Sequence, residues 1–295
     1  MAIGTTSQSL KQALAERRAL LAPGAGNALT ARIIEDLGFE VIYLTGAGLA
    51  NFGLGVPDIG LVTLSELAGM TSAITDVTSL PLIVDADTGF GNALNMVRTV
   101  RTLERAGAAA IQIEDQVFPK RCGHFAGKEV IPAREMVQKL KAAADARRSA
   151  ELLLIARTDA RAIEGFDGAI ERAGRYAEAG ADLTFVEAPT SVEELAAIPR
   201  RLALPQVANM VIGGKTPLTS QRELAAMGFS LVIYAGAAMQ AAMLAMREVL
   251  GALKSDGSID RVSNRLMSFA ERQRLVGKDE WDALEARFGG TGERR

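Results

Sequence analysis

The stretch "EDQVFPKRCGH", residues 114–124, carries the chain's one cysteine, Cys122, and its one histidine, His124. Lys120 and Arg121 stand directly before the thiol. Cationic neighbours favour thiolate, so Cys122 is expected to be an activated group rather than an inert core residue. His124 is either a second acid–base group or the residue that orients the segment. Other polar residues close a series of short apolar runs: Thr45-Gly46-Ala47-Gly48, Asp85 and Asp87, Glu114 and Asp115, Arg157 and Asp159, Glu187, and Asn209. Any one of these acids could be only a helix N-cap, but the set is rich in carboxylates and poor in nitrogen and sulfur. One histidine and one cysteine do not build a tetrahedral zinc site. Aspartates and glutamates with water suit a hard cation, Mg²⁺ or Mn²⁺. Asp85 is the expected direct ligand, with Asp87 and Glu114 acting partly through waters. Arg157 offers a planar fork of donors to a substrate carboxylate. Gly46 and Gly48 let backbone N–H groups approach an anion closely.

The elements that must position these residues alternate along the chain. Eight apolar runs read as strands: "ALLAPG" (19–24), "VIYLTG" (41–46), "LPLIVDAD" (80–87), "AIQIED" (110–115), "LLLIARTD" (152–159), "LTFVEA" (183–188), "PQVANM" (205–210) and "LVIYAG" (231–236). Between them lie segments such as "LNMVRTVRTLERAG" and "AIERAGRYAEAG", apolar at helical spacing and closed by glycine. Strand and helix in regular alternation are βαβ units. Repeated eight times they predict a (β/α)8 barrel of the TIM type over residues 1–250, with a doubly wound open sheet as the alternative. A barrel gathers its active site at the C-terminal ends of its strands, where the polar residues above fall. The segment from Gln116 to Glu129 exceeds the ~2–6 residues usual for such a loop and is expected to be a mobile lid. Residues 251–295 carry no strand signal; "SFAERQRLVGKDEWDALEARF" predicts two helices split near Gly277. This helical extension is expected to pack on the barrel or on a neighbouring subunit.

Composition excludes several classes. Of 295 residues, 48% are hydrophobic and 23% charged, with a net charge of −2, which suits a globular core and gives no footprint for nucleic acid. The pairs Arg17-Arg18 and Arg147-Arg148 have acids nearby and read as solvated helix faces. A lone cysteine excludes an intrachain disulfide framework. The N-terminus lacks the apolar core of a secretory signal. "LVIYAGAAMQAAMLAM", from Leu231, is short of the ~20 residues a membrane span needs and contains Gln240. The chain is therefore expected to be cytoplasmic, with no membrane partner. "TGAGLANFG" lacks the third glycine of a dinucleotide fingerprint, and "NMVIGGKTP" lacks the first glycine of a P-loop. A Gly-x-Ser-x-Gly nucleophile elbow is also missing.

"DADTGFG", "IEDQ", "KRCGH" and "ARTDA" occur in that order and resemble the isocitrate lyase/phosphoenolpyruvate mutase superfamily, over roughly residues 10 to 290. "KRCGH" is similar to its C–C lyase branch, which acts on 2-methylisocitrate and on dimethyl- and alkylmalates; the phosphonate mutases typically lack this cysteine. The resemblance implies a modified barrel whose eighth helix is exchanged between subunits, in dimers paired to homotetramers. It implies Mg²⁺ at Asp85, with Asp87 and Glu114 in the wider shell, and a small carboxylate substrate. Thr45, Gly46 and Ala47 would contact the 2-oxo acid and Arg157 its carboxylate. Asp58 would supply a further acid, Lys120 and His124 would flank the reacting centre, and Glu187 and Asn209 would line the pocket. Cys122 would protonate the enolate left by retro-aldol cleavage. Ile212 stands where many members carry an acid, which implies a smaller or more apolar distal substrate group. The expected activity is Mg²⁺-dependent cleavage of a 2-hydroxy di- or tricarboxylate. Oxaloacetate hydrolysis or decarboxylation is the alternative, ahead of a phosphonopyruvate mutase or hydrolase and of a barrel that binds without turnover.

Overall fold

The computed structural model describes residues 4–125 and 127–289. After α1 (Gly4–Ala15) come β1 (Leu20–Ala25), α2 (Ala28–Asp36), β2 (Ile42–Leu44), the single turn α3 (Gly46–Gly48) running into a π-helical turn (Leu49–Leu54), and α4 (Leu64–Thr75). The alternation continues with β3 (Leu82–Asp85), α5 (Ala93–Arg105), β4 (Ala110–Glu114), α6 (Ala133–Ala146), β5 (Leu153–Thr158), α7 (Arg161–Glu178), β6 (Leu183–Val186) and α8 (Val192–Arg201). It closes with β7 (Gln206–Asn209), α9 (Gln221–Met227), β8 (Leu231–Tyr234) and α10 (Ala237–Asp256). All neighbouring strands are parallel, and β1 pairs with both β2 and β8, so the sheet is a closed eight-stranded barrel. The expected (β/α)8 barrel is the observed one, and the open sheet is excluded.

Helix ends follow the local chemistry. Asn27 caps α2, and Thr63–Glu66 and Asn92–Asn95 form reciprocal capping boxes on α4 and α5. α5 buries Met96, Val100 and Leu103 at helical spacing, each such side chain contributing about 1.5–3 kcal/mol of apolar burial.

Strand alternation sorts the core and places the site. Leu82, Val84, Ile111, Ile113, Leu154 and Ala156 join the outer layer under the helices. Their neighbours Tyr43, Ile83, Ala110, Ile155, Phe185 and Val207 form the barrel interior, closed at the strand N-termini by Leu10 and Leu14 of α1. Side chains two apart share a face. Thr45, Asp85, Gln112, Arg157, Glu187 and Asn209 each lie two residues beyond one of these interior residues, and Glu114 lies two beyond Gln112. On six of the eight strands, β2 to β7, an apolar column therefore ends in polar side chains at the mouth.

The chain divides into two compact units, Met1–Met239 and Gln240–Arg295. The second contains α11 (Phe269–Leu275) and α12 (Lys278–Phe288), split at Gly277 with φ of 70°, as the glycine predicts. Among the described residues no helix is long and apolar enough to cross a membrane.

Candidate active site

Six carboxylates, Asp58, Asp85, Asp87, Glu114, Asp159 and Glu187, meet three cations, Lys120, Lys128 and Arg157, around the mouth. Lys120 is buried between Asp58, with which it forms a short ion pair, and Asp87, 3.0 Å away. Burial alone would lower its pKa; Asp87, Glu114, Asp85 and Asp58 outweigh that and hold it raised. Arg157 lies 5.3 Å over the Phe185 ring and grips Asp159 with two donors at 2.9 and 3.1 Å. Its Nε is also 3.4 Å from Glu114. The fork that the sequence assigns to substrate is thus half engaged within the protein; its remaining donors are left for a ligand.

The carboxylates are too many for their cations. Burial, then the like charges of Asp85 and Asp58, push Asp87 up to about 7 against the pull of Lys120. Burial pushes Glu114 well above the carboxylate range despite Arg157. Among the described residues Glu114 Oε1 is buried without a hydrogen-bond partner, and Asp87 Oδ1 has only the ion pair with Lys120, out of line for a hydrogen bond. Oxygens in this state suit a hard cation and its waters. Among the described residues no three acid, histidine or cysteine side chains converge as a metal cage, so Asp85, Asp87 and Glu114 do not form a three-ligand set. One direct carboxylate with water-mediated neighbours fits the arrangement.

Gly46 lets the start of α3 approach these acids. A β-carbon there would stand 3.2 Å from Asp87 Oδ1 and 3.6 Å from Asp85 Oδ2. Thr45 caps the turn, its Oγ1 accepting from Gly48 N at 3.4 Å. Asp87 itself has φ of 48°, a left-handed conformation that aspartate tolerates better than most residues.

The loop between β4 and α6 folds onto this mouth and is tied at several points. Gln116 brackets Arg121, accepting from its N–H and donating to its carbonyl. Lys128 donates to the Gly123 carbonyl at 2.5 Å and to Asp159 at 2.7 Å. His124 Nδ1 accepts from Lys215 N at 3.0 Å, and its Nε2 lies 2.9 Å from Glu187 Oε1, out of line for a hydrogen bond. That acceptor role puts the neutral ring's proton on Nε2, facing Glu187. Burial pushes Glu187 up, but Arg157 and His124 outweigh it and leave its pKa lowered.

The expected activation of Cys122 is corrected. Burial pushes its thiol above the ordinary range; a backbone contact at His124 and the charge of Arg157 offset this only in part, and Asp58 and Glu187 add to it. The basic neighbours in sequence are spent elsewhere, Lys120 on Asp58 and Asp87. Cys122 therefore holds its proton more firmly than a free thiol.

Thr45, Gly46, Asp58, Asp85, Asp87, Glu114, Lys120, His124, Arg157 and Glu187 are brought together, with Asn209 Nδ2 3.5 Å from Glu187. Ile212 is 65% exposed and does not share the burial of this set, although its loop after β7 reaches His124 through Lys215 N–H. Lys128 is the member the sequence does not single out, and Asp159, which closes the fifth run with Arg157, is given no role there. Asp159 was legible, since it follows Arg157 by two residues; Lys128 was not, because its partner depends on how the loop folds back.

The phosphoenolpyruvate phosphomutase family model matches residues 10–254. This chain belongs to the isocitrate lyase/phosphoenolpyruvate mutase superfamily. It is 43% identical to 2,3-dimethylmalate lyase of Eubacterium barkeri, over 96% of this chain and 98% of that one. It is 47% identical to 2-methylisocitrate lyase of Aeropyrum pernix, over 94% and 89%. A crystal structure of 2,3-dimethylmalate lyase superposes with a TM-score of 0.91 at 36% identity, covering 98% of this chain and 97% of that one.

Proposed function

We propose that this superfamily member is a Mg²⁺-dependent carbon–carbon lyase. Its substrate is a 2-hydroxy di- or tricarboxylate of the 2-alkylmalate or 2-methylisocitrate type, cleaved to a 2-oxo acid and a second carboxylate. The observation that carries the reading is geometric: the loop bearing Cys122 seats Gly123 and His124 against Arg157 and Glu187 at an acid-rich mouth. Asp85 would hold the cation directly, with Asp87 and Glu114 through waters; Mn²⁺ is the alternative ion. Bound there, the cation supplies Lewis-acid stabilisation of charge on the 2-oxygen.

The chain's own groups divide the remaining work. Backbone N–H groups at Gly46 and Ala47, beside Thr45, hold the 2-oxo acid portion, and the free donors of Arg157 take its carboxylate. Asn209, whose Oδ1 is buried without a partner, lines the pocket with Glu187. In cleavage the 2-hydroxyl proton passes to a mouth carboxylate and the C2–C3 bond breaks. Its electron pair stays on C3 as a carboxylate-stabilised carbanion. Cys122 then delivers its S–H proton to C3, which closes the second carboxylate. Lys120 and Arg157 keep the mouth's negative charge in place as this proceeds. The apolar Ile212 supports a substrate whose distal group is small or apolar.

The homotetramer with exchanged helices belongs to the same proposal. It is supported by α10, which buries only Ala252 and exposes Met243, Leu244, Met246, Leu250 and Leu253; a face of this kind marks an association surface.

The test is release of a 2-oxo acid, with Mg²⁺ and with chelator, from 2-alkylmalates, 2,3-dimethylmalate, 2-methylisocitrate, isocitrate and oxaloacetate. Metal-dependent cleavage of a hydroxy acid supports the lyase. Consumption of oxaloacetate alone replaces it with the hydrolase or decarboxylase reading.

A further inference from the structure

Gln112 is a polar side chain in the middle of the apolar barrel wall. It is fully buried, between Ile111 and Ile113 of β4, and faces the interior beneath Glu114. A buried amide costs stability unless its groups are bonded, and both ends of this one are. Its Nε2 donates to Asp85 Oδ1 at 3.1 Å, and its Oε1 accepts from the Tyr43 hydroxyl at 3.0 Å. Asp85 and Gln112 are direct partners in the β3–β4 ladder, so the contact is set by strand register.

The chemistry leaves one orientation. An ionised carboxylate only accepts, so the amide nitrogen must face Asp85 and the amide oxygen must face Tyr43. Tyr43 must then donate. A tyrosine hydroxyl is protonated at neutral pH, and its place 3.0 Å from the amide oxygen lets it donate. The backbone N–H of Asp87 also donates to Asp85 Oδ1, at 3.2 Å. Both donors thus take the same oxygen. Oδ2 lies on the side of Gly46, where a β-carbon would stand 3.6 Å from it.

We propose that Gln112 is a positioning residue for the cation site. It turns Asp85 so that Oδ2 alone is presented to the metal, and Tyr43 prevents the amide from flipping. The inference rests on the assignment of the cation to Asp85 but not on which bond is cleaved. Groups that orient a metal ligand in this way typically set affinity rather than chemistry.

The experiment is Mn²⁺ titration of the substrate-free protein by electron paramagnetic resonance, for wild type, Gln112→Met, Tyr43→Phe and the double variant. Methionine keeps the length and removes the donor. Gln112→Met should weaken Mn²⁺ binding about 10- to 100-fold, and Tyr43→Phe should shift it the same way by less. The double variant should fall short of the product of the two effects, because the three groups form one network. Turnover at saturating metal should change far less than the metal requirement. Wild-type Mn²⁺ affinity in both single variants, even with a lowered melting temperature, would overturn the proposal and leave Gln112 a packing residue. If Gln112→Met does not fold, Tyr43→Phe decides alone: a weakened affinity supports the proposal and an unchanged one overturns it. A wild type that binds Mn²⁺ but cleaves none of the hydroxy acids overturns the lyase reading and leaves this inference standing.

Discussion

Gly123 backs directly onto Arg157: a β-carbon at position 123 would stand 2.4 Å from Arg157 Nη2 and 2.6 Å from Glu187 Oε1. The residue after the thiol can therefore lie against the mouth only as glycine. Gly123→Ala should push the Cys122 loop outward. A misplacement of about 1 Å at a reacting group can cost ~10²-fold, and a loss of that order in kcat/KM is expected. The melting temperature should hardly move, because the barrel core is untouched. Wild-type kcat/KM in this variant would mean that the loop does not rest on Arg157 during turnover.

Cys122→Ser keeps the size of the side chain but replaces the thiol with a far weaker acid. Loss of a positioned proton donor typically costs about 10²–10⁴-fold. The fall should appear in kcat, while Mn²⁺ affinity and inhibition by a 2-oxo acid stay near wild type. Steady-state kinetics beside a metal titration measures both. Loss of metal binding in the variant would assign Cys122 a structural role instead.

Asp87, pushed up to about 7, makes cation binding depend on pH. Its folded-state pKa lies above the ordinary carboxylate value of about 3.9. The metal-free fold therefore favours the protonated form, and the stability this group contributes declines between roughly pH 4 and pH 7. A divalent cation must displace that proton. Apparent Mg²⁺ affinity should rise with pH by up to about tenfold per unit for one displaced proton, then flatten above pH 7. The rise in melting temperature on adding Mg²⁺ should follow the same curve. Calorimetric titration from pH 5.5 to 8.5 measures it, and a flat affinity across that window would remove Asp87 from the metal's surroundings.

The exposed apolar face of α10 makes assembly testable. Met246→Glu with Leu250→Glu places two charges on a face that a neighbouring subunit is proposed to cover. Burying an unpaired charge costs several kcal/mol, so sedimentation should show dissociation to smaller species. An unchanged sedimentation coefficient would mean that this face is not the interface.

Much of the site was legible because the barrel repeats with period two. Asp85, Glu114, Arg157, Glu187 and Asn209 each close an apolar run, and parity sends each toward the same mouth. Gln112 shares the parity of Glu114, and a glutamine inside "AIQIED" already demanded a partner. That partner, Asp85, lies 27 positions away and is fixed only by strand register. The reading of Cys122 failed for a related reason. Charge adjacent along the chain is not charge adjacent in the fold: the loop spends Lys120 on Asp58 and Asp87 and sets the thiol near Glu187. The π-helical turn at Leu49–Leu54 has no counterpart in the periodicity of "LANFGL".

The most direct test is product analysis by nuclear magnetic resonance, with 2,3-dimethylmalate and 2-methylisocitrate as substrates and Mg²⁺ present. A carbon–carbon lyase should convert one of them to pyruvate and a second carboxylate in equal amounts, propionate from the first or succinate from the second. The reaction should stop with chelator and be lost in Cys122→Ser. Intact substrates beside a folded, Mg²⁺-binding protein, or turnover confined to oxaloacetate, would contradict the proposed activity.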